Sequence, residues 1–363
     1  MNCRLCNNNI QKVIDLSDIV PFSVMSDNRI IQDSIIVYLC KDCSLLQKDS
    51  SQAQQDNYFK EFKSHQLSDG EEQLKPYNNE LYPRSEIIIK LLSPNISERG
   101  KILDVGTGNG AFLKNFKKLY PFWSLHAQDL QDNSKDSILK IIPSNNFIHG
   151  DIGNITEKFN IIAVNHVLNH IVDLELFLDN IQNLLEKDGQ LIIQVPYILD
   201  SISDLVIIES INHFSKKSIY TFLKKYFENI TISDTISGEL TILASNNKKQ
   251  KDFFLEEDSA KIFMIIENFK KLIHRLISNR DDLIVFGTSP LGNFCASIIQ
   301  NHLHSLIDED PNKIGKKILG KDILHPKDAN DKKLVLLPFF DKRVISHIKQ
   351  RYYNFNYIDV FEL

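Results

Sequence analysis

The sequence predicts an α/β protein built on a doubly wound, mostly parallel β-sheet. Short apolar runs alternate with stretches of helical period through the middle of the chain and again in its last third, and this alternation is typical of such a sheet. In addition, the run Lys101–Val105 leads into three glycines at every second position, Gly106, Gly108 and Gly110. A buried strand, a tight turn and a helix start in that order indicate a nucleotide-type ligand loop. The length of 363 residues is compatible with two or three domains.

The composition excludes several classes of protein. Apolar residues make up 42% and charged residues 25% of the chain, which is ordinary for a soluble protein. The net charge of −5 gives no support for a nucleic-acid or anionic-membrane partner. No apolar run approaches the ~20 residues that a membrane span needs, and the N-terminus lacks a signal-peptide pattern. We therefore expect a cytoplasmic protein without membrane insertion.

The cysteines form two closely spaced pairs near the N-terminus, Cys3 with Cys6 and Cys40 with Cys43. Two C-x-x-C units can supply four thiolates in tetrahedral geometry, so we predict a structural zinc site with no open coordination position. The alternatives are two disulfides or buried free thiols, and a cytoplasmic chain disfavours disulfides. The fifth cysteine, Cys295, lies in an apolar helix start and is predicted to be a core residue.

The middle of the chain reads as alternating strands and helices. The polar stretch 50–57 is predicted to be a loop, and an amphipathic helix over Arg84–Ser93 precedes the first strand. The predicted strands are Lys101–Val105, Trp123–Asp129, Phe147–Ile152 and Gln190–Pro196, together with the stretch Phe159–His170, a strand that runs into a loop. The predicted helices between them are Phe112–Leu119 and Leu174–Leu185.

Polar side chains stand at the ends of four of these strands: Asp104, Asp129, Asp151 and Asn165. Ligands bind doubly wound sheets at the carboxyl ends of the strands, and Asp129 follows Asp104 by 25 residues, where an acid can accept hydrogen bonds from ribose hydroxyls. The structural alternative is that Asp129 and Asp151 cap loops and that Asp104 holds the turn. Four such groups in register favour ligand binding.

The last third repeats the pattern after a helical stretch over 252–278. The strand Asp282–Phe286 is followed by Gly287-Thr-Ser-Pro and a helix, and further strands are predicted at Ser305–Asp308 and Leu334–Phe340. We predict a second, Rossmann-like domain, whose helix start could bind an anion or whose role could be that of a scaffold. The predicted domains are a zinc module at 1–57, a ligand-binding domain at 58–248 and the C-terminal domain at 249–363.

The motifs together carry a family resemblance. The segment Asp104–Gly110, then Asp129, then Gly150-Asp151-Ile152, then Asn165–Ile171 resemble the ordered motifs of class I S-adenosylmethionine (SAM)-dependent methyltransferases. With a four-cysteine module before them and an α/β domain after them, they resemble the zinc-containing sugar C-methyltransferases that act on nucleotide-linked 4-keto-deoxysugars. The resemblance covers essentially the whole chain, and the order of the modules is its most specific part.

This resemblance implies roles for the strand-end residues. Gly106 and Gly108 would face the amino-acid part of SAM, Asp129 would bind the ribose, and Asp151 would reach the adenine beside Ile152. The cofactor-binding residues that it implies are Asp104, Gly106, Gly108, Asp129, Leu130, Asp151, Ile152, Asn165 and His166.

The catalytic segment departs from the family. The sugar C-methyltransferases carry Glu-His-x-x-Tyr-Phe after the fifth strand, whereas this chain has Glu209-Ser-Ile-Asn-His-Phe214. Ser210 stands where the histidine is expected, and His213 stands where the tyrosine is expected. His170 matches the histidine of the family's V-L-x-H turn. His170, Glu209 and His213 are therefore the catalytic candidates, because histidine titrates nearest neutrality, and the identity of the base stays open.

These observations lead to a functional hypothesis. The chain is expected to be a SAM-dependent methyltransferase that acts on a nucleotide-activated keto-deoxysugar, with C-methylation serving a surface polysaccharide or a glycosylated metabolite. The alternatives are O- or N-methylation of another small molecule, or a non-catalytic SAM-binding subunit of a glycan pathway. A zinc-ribbon nucleic-acid module is disfavoured by the acidic charge. The acceptor atom and the oligomeric state stay open.

Overall fold

The computed structural model describes residues 1–20, 22–60, 70–92, 96–246, 259–279, 281–329 and 332–360. Their contacts divide the chain into two compact units that interleave along the sequence. The first unit comprises Met1–Gln11, Tyr38–Asp200 and Ile211–Ser259, and the second comprises Lys12–Val37, Ser201–Ser210 and Ala260–Leu363. The domain boundaries at 57 and 248 stay predictions, since these units are defined by contacts and not by position in the chain.

The regular elements cover most of the described residues. The helices are α1 (Gln52–Lys60), α2 (Arg84–Leu92), α3 (Ala111–Leu119), α4 (Lys135–Ile138), α5 (Leu174–Leu184), α6 (Lys216–Leu223), α7 (Ser259–Ser278), α8 (Pro290–Ile298) and α9 (Lys342–Arg351). The strands are β1 (Ile10–Asp15), β2 (Ser23–Val24), β3 (Ile30–Ile31), β4 (Ile36–Cys40), β5 (Leu46–Lys48), β6 (Leu74–Tyr77), β7 (Glu80–Pro83), β8 (Lys101–Val105), β9 (Ser124–Asp129), β10 (Phe147–His149), β11 (Phe159–Asn165), β12 (Leu185–Pro196), β13 (Asn212–His213), β14 (Asn229–Ser233), β15 (Glu239–Ser245), β16 (Leu283–Phe286), β17 (Leu303–Ile307), β18 (Lys317–Ile318), β19 (Lys321–Leu324), β20 (Leu334–Leu337) and β21 (Asn356–Asp359).

The first unit is organised by a seven-stranded sheet in the order β10-β9-β8-β11-β12-β15-β14. The five strands from β10 to β12 pair in parallel, and β15 and β14 join them as antiparallel strands. Alternate residues of each strand face opposite sides, so two apolar cores form. One core contains side chains of α5 and α6, and the other contains side chains of α2 and α3. Helices on both faces of a mostly parallel sheet confirm the predicted fold class.

Two elements of this sheet differ from the sequence prediction. Strand β10 ends at His149, so Asp151 lies in the loop after the strand. Strand β12 begins at Leu185, five residues before the predicted Gln190, and its register against β11 shifts between Phe159 and Ile161. Phe159 and Ile161, on either side of this shift, belong to the cores on opposite faces of the sheet, so the regular alternation of side chains is interrupted here.

The region that follows the second cysteine pair contains one wrong prediction. Residues 50–57 were expected to form a loop because they are polar, but the structure has helix α1 over Gln52–Lys60. Only Gln55 of this helix is buried. The prediction failed because an exposed helix needs no apolar stripe, while glutamine and alanine favour helical backbone.

The second unit contains a six-stranded sheet in the order β18-β19-β17-β16-β20-β21. All of its pairs are parallel except β18 with β19, which confirms the predicted second sheet domain. Helix α8 follows β16 and contacts β2 and the 3-10 turn Ile202–Val206. Cys295 is fully buried in α8, as predicted. Helix α7 covers the later part of the predicted 252–278 stretch, and 252–258 lie outside the described residues.

Among the helices of the described residues, none combines the length and the apolar character that crossing a bilayer requires.

Candidate functional site

The glycine loop connects β8 with α3 and has a left-handed backbone at all three glycines, with φ between +52° and +78°. This conformation is accessible to glycine at little cost. A Cβ atom on Gly106 would lie 2.4 Å from Cγ2 of Val167, so this glycine allows the segment after β11 to pack against the loop. A Cβ atom on Gly108 would meet nothing within 4 Å. Gly108 therefore borders open space in which a ligand can approach the backbone.

Asp104 is buried near the end of β8, and its carboxylate binds both the glycine loop and the end of β11. Its carboxylate accepts a hydrogen bond from Oγ1 of Thr107 at 2.8 Å and one from Nδ2 of Asn165 at 3.3 Å. Burial raises its pKa to about 7, against the opposing effect of these two hydrogen bonds. Asp104 thus holds the turn, as the structural alternative proposed, and it also orients Asn165.

Asp129 ends β9 and lies directly against the glycine loop. One carboxylate oxygen accepts the backbone N–H of Gly108 at 3.1 Å, and the other accepts that of Gln131 at 3.0 Å. Burial raises the pKa of Asp129. The neighbouring Leu130 is 63% exposed, so an apolar side chain is offered to solvent beside the acid.

Asp151 and Ile152 lie after β10 and have structural roles of their own. The Asp151 carboxylate accepts the backbone N–H of Gly153 at 2.7 Å and caps the 3-10 turn Ile152–Asn154. Ile152 is 5% exposed and belongs to the apolar core on the α5 side of the sheet. The capping role that was weighed against ligand binding for Asp151 is therefore present.

Asn165 ends β11, and His166, directly after it, has a left-handed backbone with φ +54°. Such a conformation is uncommon for a residue with a side chain and concentrates at functional sites. The His166 N–H donates to the carbonyl of Gln194 at 2.8 Å. Its Nε2 lies 3.0 Å from Nη1 of Arg84.

A charged cluster around Glu239 was not predicted from the sequence. The Glu239 carboxylate is buried, and it lies 3.7 Å from both Arg84 and Lys75 and 3.5 Å from His166. Burial opposes its ionisation, but the hydrogen bond to His166 and the nearby charges lower its pKa to about 2. Arg84 begins α2 and Glu239 begins β15, so no local motif joins them. The only feature in the sequence that could have indicated this cluster is that a charged residue begins both α2 and β15.

The two histidine candidates lie in the first unit. His170 is partly buried, with Nε2 3.1 Å from Nδ2 of Asn169, and its ring meets Phe59 edge to face at 5.2 Å between centroids. His213 is 1% exposed in β13, where it pairs with Leu46 of β5. The backbone N–H of Ile211 donates to the carbonyl of Asn169 at 2.8 Å. The turn of His170 and the strand of His213 are thus tied together.

Glu209 and Ser210 lie in the second unit and are both fully buried. The Glu209 carboxylate accepts the backbone N–H of Ser26 at 2.8 Å and its hydroxyl at 2.5 Å. The Ser210 hydroxyl donates to Asp204 at 2.7 Å. The structure therefore groups Glu209 with the segment around Ser26, and assigns it to a different compact unit from the two histidines.

The four N-terminal cysteines come together as predicted, with their sulfur atoms within 4.8 Å of one another and no disulfide between them. Sγ of Cys3 lies 3.5 Å from Sγ of Cys43, and Sγ of Cys6 lies 3.5 Å from Sγ of Cys40. The contact with Cys43 lowers the pKa of Cys3 to about 5. A tetrahedral ion with bonds of ~2.3 Å would need sulfurs ~3.8 Å apart. The group could therefore hold a metal ion.

The comparison with protein families identifies the central part of the chain. Residues 78–230 match the family model described as a methyltransferase domain. This segment is therefore similar to methyltransferase domains. The matched range includes the glycine loop, the strand-end acids and both histidine candidates. The match supports the methyltransferase domain that those motifs predict.

Several solved structures are similar to part of this chain at low sequence identity. A candidate O-methyltransferase from Nostoc punctiforme is 15% identical, over 44% of this chain and 55% of that one, with a TM-score of 0.38. PigF with S-adenosylhomocysteine (SAH) is 16% identical, over 44% and 54%, with a TM-score of 0.38. The plantazolicin methyltransferase BpumL with SAH is 17% identical, over 45% and 82%, with a TM-score of 0.38. This chain thus spans about half the length of the first two. Among curated proteins, none matches the sequence.

Proposed function

We propose that this protein transfers a methyl group from SAM to a nucleotide-activated keto-deoxysugar, with C-methylation as the leading reaction. The observation that carries the cofactor assignment is the contact between the Gly108 N–H and the Asp129 carboxylate beside an open glycine loop. SAM supplies an electrophilic methyl group on a sulfonium. The protein contributes mainly by holding the two reactants in line, since positioning supplies much of the rate of such a displacement.

The residues at the sheet edge suit the chemistry of SAM. The backbone N–H groups near Gly106 and Gly108 would receive the amino-acid part, and Asp129 with Leu130 would bind the ribose. Asp151 and Ile152 would lie toward the adenine, and Asn165 and His166 toward the methionine end. The buried carboxyl of Asp104, whose pKa is about 7, would become ionised when an ammonium group approaches it.

For the N-terminal module we propose a structural zinc ion held by all four cysteines. Four sulfurs at nearly tetrahedral separations leave no position for a substrate, so the metal would stabilise this part of the fold. Its binding would release thiol protons and couple metal affinity to folding.

We propose His170 as the first candidate for the general base, followed by His213. His170 is the more accessible of the two, and its turn directly follows the segment of Asn165 and His166. His213 is held in a strand and is almost fully buried. Glu209 would act as a positioning residue through its hold on Ser26. If substitution of His170 and substitution of His213 each leave turnover unchanged while SAH still binds, both base assignments are wrong.

One observation favours a different reaction on the same cofactor. In the sugar C-methyltransferases that this chain resembles, a histidine that deprotonates carbon stands at the position of Ser210. The Ser210 hydroxyl is buried and donates a hydrogen bond to Asp204. A serine in that state cannot accept a proton from an acceptor carbon. O- or N-methylation of a sugar or another small molecule is therefore the second candidate. A SAM-binding subunit without catalysis is the third, and the cytoplasmic location stays a prediction.

Calorimetry with SAH tests the cofactor assignment. We expect the wild type to bind SAH and Asp129→Asn to bind roughly tenfold or more weakly, because the ribose would lose an ionised acceptor. Asp136→Asn is the matched control, since Asp136 is exposed on α4. Labelled SAM with a panel of nucleotide sugars, followed by NMR of the product, then identifies the methylated atom. Equal SAH affinity in Asp129→Asn and the wild type would contradict the assignment.

A further inference from the structure

Three polar side chains lie side by side on adjacent strands of the seven-stranded sheet. Asn165 of β11 is directly opposite Gln194 of β12, which is directly opposite Thr241 of β15. Residues opposite one another on neighbouring strands point to the same face. We refer to Asn165, Gln194 and Thr241 as the polar row.

The polar row contains buried atoms with no hydrogen-bond partner among the described residues. They are Oδ1 of Asn165, both Oε1 and Nε2 of Gln194, and Oγ1 of Thr241. Gln194 is 0% exposed. Buried polar atoms lose their hydrogen bonds to water and destabilise the fold unless something replaces those bonds. Several such atoms in one row are therefore available to hydrogen-bond a bound group, which is either ordered water or a ligand.

The sheet itself does not require polar residues at these positions. The preceding row on the same face consists of Ala163, Ile192 and Leu243, which stand opposite one another in the same way. These apolar side chains belong to the core on the α2 side or pack against it. The change from an apolar row to a polar row occurs at the carboxyl ends of β11 and β12, where doubly wound sheets bind ligands.

The order of the strands separates Gln194 and Thr241 of the polar row from the proposed cofactor residues Asp129 and Asp151. Asp129 ends β9 and Asp151 follows β10, on one side of β8. The polar row occupies β11, β12 and β15, on the other side of β8. Asn165 joins the two halves through its hydrogen bond to Asp104. A ligand at the polar row would therefore lie beyond the methionine end of SAM, where an acceptor must lie.

The charges beside the polar row indicate what kind of ligand it suits. Glu239 is two residues before Thr241 on the same face of β15, and it is surrounded by Arg84, Lys75 and His166. Two acids, Glu239 and Glu72, lie near two cations, Arg84 and Lys75, at this rim, so neither an anion nor a cation is selected. Glu239 lies 3.7 Å from Arg84 and from Lys75, which is longer than a hydrogen bond. A ligand that separated these charged groups would therefore break no direct hydrogen bond between them.

We propose that the polar row binds the hydroxyl and keto groups of the acceptor sugar. Gln194 can donate through Nε2 to a keto oxygen and accept through Oε1 from a hydroxyl, Thr241 can do either, and Asn165 Oδ1 can accept. An uncharged ring that carries both donors and acceptors matches this set. The inference rests on the proposed function, because it assigns the acceptor of the same methyl transfer.

Two substitutions test the polar row through opposite effects on stability and on binding. Gln194→Leu and Thr241→Val remove the buried polar atoms while nearly keeping the side-chain volume. Both variants are expected to raise the melting temperature of the ligand-free protein, because they remove an unsatisfied buried group. A residue whose polar atoms served only the fold would show the reverse. Thr231→Val is the matched control, since Thr231 is exposed on the neighbouring β14.

Binding is measured by calorimetry at saturating SAH, with a nucleoside-diphosphate 4-keto-6-deoxyhexose and with the nucleoside diphosphate alone. We expect the wild type to bind the sugar-linked probe roughly tenfold more tightly, and both variants to lose that preference. The inference is overturned if the wild type binds the two probes equally, if the variants keep the preference, or if both variants melt at lower temperature. A wild type that does not bind SAH would instead contradict the proposed function, and the inference with it.

Discussion

Replacing Asp104 with asparagine tests whether the buried carboxyl that holds the glycine loop destabilises the ligand-free fold. Asp104 is fully buried, and burial raises its pKa to about 7 from the 3.8 of an exposed aspartate. The folded protein then holds a proton that the unfolded chain has already lost at intermediate pH. Stability must therefore fall as pH rises from about 4 to about 7, the window between the unfolded and folded pKa values.

The size of the effect follows from the same two pKa values. Each unit of pKa difference corresponds to about 1.4 kcal/mol, so the ionised carboxyl destabilises the ligand-free fold by on the order of 4 kcal/mol near pH 8. An asparagine can still accept from Asn165 and can donate to Thr107, so both hydrogen bonds survive. Asp104→Asn should thus be more stable than the wild type at pH 8, by up to that amount, and equally stable near pH 4.

Urea unfolding at pH 4, 6 and 8 measures this difference, and SAH calorimetry at pH 8 measures its functional counterpart. We expect SAH affinity to fall in Asp104→Asn, because the ligand's ammonium loses an ionisable neighbour. Asp136→Asn, at an exposed position, should change neither quantity. A stability difference that is absent at pH 8, or that does not grow between pH 4 and pH 8, would refute the reasoning about burial.

Three further predictions concern the metal site, the glycine loop and the charged cluster. Cys40→Ser should lower the zinc content from about one per chain toward zero and reduce the melting temperature, as metal analysis and calorimetry can measure. In urea unfolding, Gly106→Ala should destabilise by about 2 kcal/mol or more, since its Cβ would overlap Val167, whereas Gly108→Ala should cost only about 1 kcal/mol for its positive φ. The pKa of Glu239 is lowered to about 2, so the wild type should exceed Glu239→Gln in stability at pH 7 and lose that advantage as pH falls from about 4 to about 2.

Each of these has a clear contrary outcome. A zinc-free preparation with an unchanged melting temperature would contradict the structural-metal proposal. Equal costs for alanine at the two glycines would show that the packing of Val167 does not limit the loop. A stability difference at position 239 that persists in acid would mean that the glutamate contributes by shape and not by charge.

The sequence predictions that the structure confirms were based on the spacing of residues that are close together in the chain. The two C-x-x-C pairs predicted one sulfur cluster, because two residues between cysteines suffice to turn both sulfurs to one side. The apolar runs and the glycine loop predicted the parallel strands and the position of Asp104 at a strand end. These features depend on contacts within a few residues, so a pattern in the sequence is enough to reveal them.

Local polarity misled the prediction for residues 50–57 and left the role of Asp151 open. Helix α1 is exposed and lacks the apolar stripe on which periodicity depends. Asp151 is followed by a turn that its own carboxylate caps, and the sequence does not distinguish a capping acid from a ligand acid.

The arrangement of distant segments was decided only by the tertiary structure. Arg84, His166 and Glu239 meet because β15 returns antiparallel beside β12 and brings its first residue to the edge where α2 begins. Glu209 binds Ser26 because two short segments fold into the second unit, although their chain neighbours belong to the first. The sequence by itself thus determined the class of ligand loop and the four-cysteine cluster. The order of strands, which no local pattern encodes, decided which polar side chains share a face of the sheet.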